Sequence, residues 1–167
     1  MSQGAIRVAE YKGVFVIKME GDVRLTLCLS FDDFIERMFL KNDFCSVVFD
    51  LTDVEAIDST TLGLMAKVSI KERELGFNDP IVVSSNPSIT RLLVSMGFDD
   101  IFQFVGAEND VAVPNSQYSR TEVIQENTDD QDEVTRKVLE AHKLLMDLND
   151  SNKTVFKELV TSLEDQL

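Results

Sequence analysis

An α/β domain with a mostly parallel sheet, followed by a helical extension, is the architecture that three features of this chain predict. Apolar runs of strand length alternate with segments of helical period. One of those runs, Val47, Val48, Phe49 and Leu51, is nearly continuous rather than alternating, and the composition changes near Pro114. Alternating strands and helices send successive strands the same way, and a strand apolar on both faces belongs inside a parallel sheet covered by helices.

The elements follow in order. Residues 6–11 and 14–20 are β-branched, apolar runs separated by Lys12 and Gly13, the spacing of a tight β-hairpin; Gly21 and Asp22 end the second strand. Phe31, Phe34, Ile35, Met38 and Phe39 repeat at helical spacing, with Ser30 as the expected N-cap and Asp32 and Asp33 suited to the first-turn dipole. After the buried strand at 47–51, a helix is expected over 60–75, with Leu62, Met65, Ala66 and Ser69 on one face and Gly76 beyond its end. A strand at 81–84 leads to a helix opened by Pro87, carrying Ile89, Leu92, Leu93 and Met96 inward and ended by Gly97. A last strand follows at 101–105. Residues 1–116 thus form one α/β domain.

Residues 117–130 read as a polar linker and 131–167 as a helical tail. Thr128 and Gln131 have capping-box spacing. Val134, Val138, Ala141, Leu145 and Leu148 form an apolar stripe, a break is expected around 149–152, and Val155, Phe156, Leu159, Val160 and Leu163 resume it. An amphipathic helix of this length is marginal alone in water, so the tail is expected to pack on the α/β domain or to self-associate.

The net charge of −14 argues against nucleic acid and anionic membrane as partners, since both require a basic face. The N-terminus lacks a signal-peptide pattern and no apolar run approaches membrane-spanning length, so a cytoplasmic protein is expected. Cys28 and Cys45 lie in apolar surroundings without metal or redox spacing and are expected to be buried, unbridged thiols. No Walker A loop is present, and no cofactor is expected. His142, the sole histidine, reads as a surface residue. Asp50, Asp53, Glu55 and Asp58 cluster near a strand end. A paired-carboxylate enzyme site is one reading of them, but no histidine, cysteine or lysine accompanies them before Lys67, and turn chemistry is the simpler account.

The segment 54–63 lies between the buried strand and the second helix. There Asp58, Ser59 or Thr60 can serve as N-cap. Its core, Asp58-Ser59-Thr60-Thr61-Leu62-Gly63, resembles the Asp-Ser-Ser/Thr-Gly-Leu-Gly signature of bacterial anti-sigma-factor antagonists, members of the STAS family. The Glu20-Gly21-Asp22 turn, and the run from Asn86-Pro87 to Gly97-Phe98, are similar to that family's early turn and third helix. The resemblance spans about residues 5–112, and the order of elements is the family's own. It implies a STAS-type mixed, mostly parallel sheet covered by helices. It implies a non-enzymatic partner switch in which Ser59 is phosphorylated by an anti-sigma factor that is also a serine kinase, and dephosphorylated by a PP2C-type phosphatase. Asp22, Arg24, Asp58, Thr60, Leu62, Gly63, Ser85 and Asn86 are then expected on the docking face. Thr61 departs from the pattern, standing where the family has glycine, and the tail has no counterpart in the short members. A ligand-sensing or scaffolding STAS module without phosphorylation is the alternative.

Overall fold

The computed structural model describes residues 2–106 and 120–167. The change of composition at Pro114 and the start of the expected linker lie outside them. Strands β1 (Ala5–Tyr11) and β2 (Val14–Val23) form the opening hairpin. Its two turn residues both have positive φ, 47° at Lys12 and 81° at Gly13, the primed geometry that matches strand twist. Then come α1 (Cys28–Phe39), β3 (Ser46–Ile57), α2 (Ser59–Glu74), β4 (Ile81–Val83), α3 (Pro87–Ser95) and β5 (Gln103–Val105). Strand β6 (Arg120–Val123) and helices α4 (Gln131–Met146) and α5 (Asp150–Asp165) complete the chain.

The sheet order is β5-β4-β3-β2-β1-β6. Strands β2 to β5 pair in parallel, and the hairpin and β6 add the antiparallel pairs. This is the mixed, mostly parallel sheet expected. Strand β6 lies within the segment read as a linker, and it pairs with the free edge of β1, so that edge is not left open.

Three local readings need correction. Helix α1 begins at Cys28, not after Ser30, because a 3-10 turn at Leu25–Leu27 leads straight into it; Leu27 stands at the N-cap without a side-chain bond. Strand β3 runs six residues beyond Leu51, to Ile57, and its register against β2 slips twice, between Lys18 and Glu20 and between Gly21 and Asp22. The cap of α4 is Asp130, whose carboxylate accepts from the Glu133 amide at 3.1 Å, while Thr128 only receives a bond on its carbonyl from Gln131.

The core is continuous from sheet to tail. Phe15, Ile17, Met19, Phe49 and Leu51 of the sheet pack with Phe31, Ile35 and Met38 of α1 and with Leu62 and Met65 of α2, and the same cluster takes in Val134, Leu145 and Phe156 of the tail. Of the two expected outcomes for the tail, the structure realises intramolecular packing. Helix α4 lies against α2 and α1, and α5 folds back on α4. The break between the tail helices falls where expected: Asn149 caps α5 by accepting from the Asn152 amide at 2.8 Å.

Candidate docking and modification site

Parallel strands β2, β3 and β4 end along one edge of the sheet. Asp22, Arg24, Asp58 and Ser59 lie together at the ends of β2 and β3, whereas Ser85 and Asn86 follow β4, which ends level with Asp50, seven residues before the end of β3. Binding sites of parallel α/β sheets form at this edge.

Asp58 is the cap of α2 and the pivot of the site. Its Oδ1 accepts from the Thr61 amide at 2.9 Å and from the Thr61 hydroxyl at 2.8 Å; its Oδ2 accepts from the Leu25 amide at 2.7 Å. One carboxylate thus ties α2 to the loop before α1. The departure at Thr61 has a structural reason, since its hydroxyl supplies a second bond to the cap. Asn86 caps α3 in the same way, accepting from the Ser88 amide at 2.9 Å, and the Arg24 guanidinium is held by Asp22 at 2.7 Å. Ser85 is exposed.

Ser59 is the first residue of α2 and half-buried. The sequence reads His142 as a surface residue, and the structure corrects this by burying it against Ser59. The Ser59 hydroxyl lies 2.7 Å from His142 Nε2, and His142 is 2% exposed. The other ring nitrogen, Nδ1, lies 2.7 Å from the Val138 carbonyl oxygen. A carbonyl only accepts, so Nδ1 carries the proton, and in the neutral ring Nε2 accepts from the Ser59 hydroxyl. The Phe156 ring packs edge-on against the imidazole at 5.1 Å.

Thr60, Leu62 and Gly63, expected at the docking face, are buried. Leu62 belongs to the core cluster, and Gly63 lies under the tail. Helix α2 is enclosed on nearly all sides, with the sheet on one face and α4 on the other. Gly63 is the closest point: a Cβ there would come within 2.3 Å of the Ala141 carbonyl oxygen. Beyond Gly63, Lys67 joins three helices. Its ammonium meets Asp32 of α1 at 2.7 Å, Glu36 at 2.8 Å and Glu140 of α4 at 3.0 Å, and Lys137 of α4 meets Asp32 at 2.7 Å and Glu140 at 2.7 Å. Burial pulls the Lys67 ammonium down, but its bonds to Asp32, Glu36 and Glu140 outweigh this and hold it above the usual lysine range. Burial likewise raises Glu140, and its bonds to Lys137 and Lys67 overcome that and hold it below the usual carboxylate range.

The acidic cluster does not assemble. Asp50 and Asp53 share Lys18, at 3.4 and 2.8 Å, Glu55 accepts from Ser2 at 3.0 Å, and Asp58 is spent on its caps. Each carboxylate has its own structural task. Among the described residues, no three acidic, histidine or cysteine side chains are placed to hold a metal ion. The Ser59–His142 pair has the spacing of a nucleophile and base, but Nδ1 is bound to a backbone carbonyl and the imidazole is sealed under Phe156.

Cys28 is buried as expected, and burial together with the Asp58 charge pushes its thiol up to about 11. Cys45 is exposed, contrary to expectation. Its neighbour Phe44 takes the inward position, stacked on Phe15 at 5.9 Å, while Cys45, in the loop just before β3, stays at the surface.

Comparison with known proteins agrees with the fold. The STAS domain family model matches residues 5–111, and the chain belongs to that family. Among solved structures, it is similar in fold to an anti-sigma factor antagonist from Mycobacterium paratuberculosis, with a TM-score of 0.50 and 24% identity, over 61% of this chain and 85% of that one. No curated protein sequence matches the chain. Among the described residues, no helix is long and apolar enough to cross a membrane.

Proposed function

We propose that this STAS protein is a partner switch of the anti-sigma-antagonist kind. With a free hydroxyl on Ser59 it binds an anti-sigma factor through the strand-end edge and α2, and so frees the sigma factor. A serine kinase transfers the γ-phosphoryl of ATP to Ser59 Oγ: the Oγ–P bond forms, the phosphoanhydride bond breaks, ADP leaves, and the hydroxyl proton passes to the kinase. A PP2C-type phosphatase restores the hydroxyl with water.

The observation that carries this reading is the setting of Ser59, first residue of a helix whose cap Asp58 is fixed by three hydrogen bonds. An anion at that position meets unpaired amides and the positive end of the helix dipole, so phosphate is tolerated by the α/β domain itself. Its charge of about −1.5 to −2 is costly where a protein surface must cover it without water.

The test is a pull-down from native lysate with Ser59→Ala and Ser59→Asp, with phosphate mapped on the wild-type protein. The Ala variant should retain an anti-sigma partner and lose all labelling, and Thr60→Ala should still be labelled. Phosphate on Thr60 rather than Ser59, or identical partners for the Ala and Asp variants, would sink the reading.

A further inference from the structure

The tail covers the residue that the switch has to use. Ser59, Gly63 and Lys67 lie four residues apart on one stripe of α2, and each meets α4: the hydroxyl at His142, the glycine at the Ala141 backbone, the ammonium at Glu140. The contacts run in opposite directions along the two helices. In this arrangement the Ser59 hydroxyl is engaged by His142 and half-buried beside α4.

We infer, on the reading of Ser59 as the switched residue, that α4–α5 is a displaceable cover over this face, and that the docked tail and a phosphoryl group on Ser59 exclude one another. Three features carry this. A phosphoryl group bonded to Oγ needs the space that the buried imidazole occupies 2.7 Å away. Helix α4 has no slack to yield by sliding, because its backbone already lies against Gly63 too closely to admit a methyl group. Residues 131–167 carry 8 acidic and 5 basic side chains, so a new dianion beneath them is opposed by charge as well.

The stripe that the tail leaves behind carries Ser59, Gly63 and Lys67, beside the apolar side chains of the core that Val134, Leu145 and Phe156 pack against. The apolar side chains the tail withdraws, Val134, Leu145 and Phe156, make the closed form the resting one. The face thus has three mutually exclusive occupants: the tail, the phosphoryl group and the partner. A partner that replaces α4 has to present a small residue to Gly63, a hydrogen-bonding group to Ser59 and a carboxylate to Lys67.

Hydrogen exchange on the full chain tests this without a kinase or a partner. Peptides within 131–165 should exchange at least tenfold faster in Ser59→Asp than in Ser59→Ala, while β2 and β3 stay protected. Gly63→Ala, whose methyl meets the Ala141 carbonyl, should release the same peptides with no added charge. Equal tail exchange in the Asp and Ala variants overturns the inference. So does loss of protection in β2 and β3 together with the tail, which would make the tail inseparable from the domain. So does a Gly63→Ala tail as protected as wild type. Absence of phosphate on Ser59 in cells would sink the switch and leave the exchange result standing. Phosphate on Ser59 with an unchanged tail would sink only the cover.

Discussion

The sheet and the tail are both buried, but different forces hold them. Strands β2 and β3 pack through Phe15, Ile17, Met19, Phe49 and Leu51, side chains secured chiefly by apolar contact. The tail adds a few apolar anchors to a set of polar ties: the Ser59–His142 bond, the lysine–carboxylate group around Asp32, and the Asn152 amide, which donates to the Met96 and Leu145 carbonyls at 2.9 and 2.8 Å. Apolar contact is indifferent to charge and pH. Polar ties are not, so a switch acting through charge finds its purchase on the tail.

The largest contrast should come from truncating one anchor of each kind. Phe49→Ala should cost about 3–5 kcal/mol of global stability, read by urea unfolding. Asn152→Ala removes the donor to the Met96 carbonyl and one of two to the Leu145 carbonyl, which keeps the Leu148 amide at 3.2 Å, and should cost about 1–3 kcal/mol, with the loss confined to the tail in hydrogen exchange. A loss of protection spread evenly over sheet and tail in the Asn152 variant would erase the distinction.

Glu72 sharpens the comparison from inside the domain. It is 0% exposed, both carboxyl oxygens lack a hydrogen-bond partner among the described residues, and burial, with Asp79 nearby, pushes it up to about 8. Between its ordinary range, near 4.5, and about 8, the folded protein keeps a proton that the unfolded chain has released. Stability should therefore fall as pH rises through that window, by about 1.4 kcal/mol per unit from this group, and level off above it. Glu72→Gln should remove that slope in urea titrations at pH 5 to 8. Parallel wild-type and variant profiles would contradict it.

How far these features were legible in the sequence depended on how local their causes are. The hairpin was readable because Lys12 and Gly13 set the turn by themselves, and the break between the tail helices because Asn149 caps locally. Strand β3 looked short because Asp50, Thr52, Asp53 and Glu55 interrupt its apolar run; the pairing with β2 that carries it to Ile57 is not local. The meeting of Asp22, Asp58 and Ser59 at the ends of β2 and β3 followed from parallel strand order. The Ser59–His142 contact spans 83 residues and has no periodic signature. Two signals pointed toward it: α2 is apolar on most sides, more than a helix packed on one sheet requires, and Ala141 next to His142 is small enough to meet Gly63.

The smallest of the expected effects concerns the two thiols. Cys45 should react with a thiol reagent in native protein at pH 8, and Cys28 at least tenfold more slowly, since it is buried and its thiol is held protonated. Equal rates would show that the loop before α1 opens freely.

Calorimetric titration of full-length protein with the anti-sigma partner tests the account most directly. Ser59→Ala should bind, and Ser59→Asp should bind at least tenfold more weakly, a difference of about 1.4 kcal/mol, with both variants folded. Equal affinities for two folded variants would remove Ser59 as the switch.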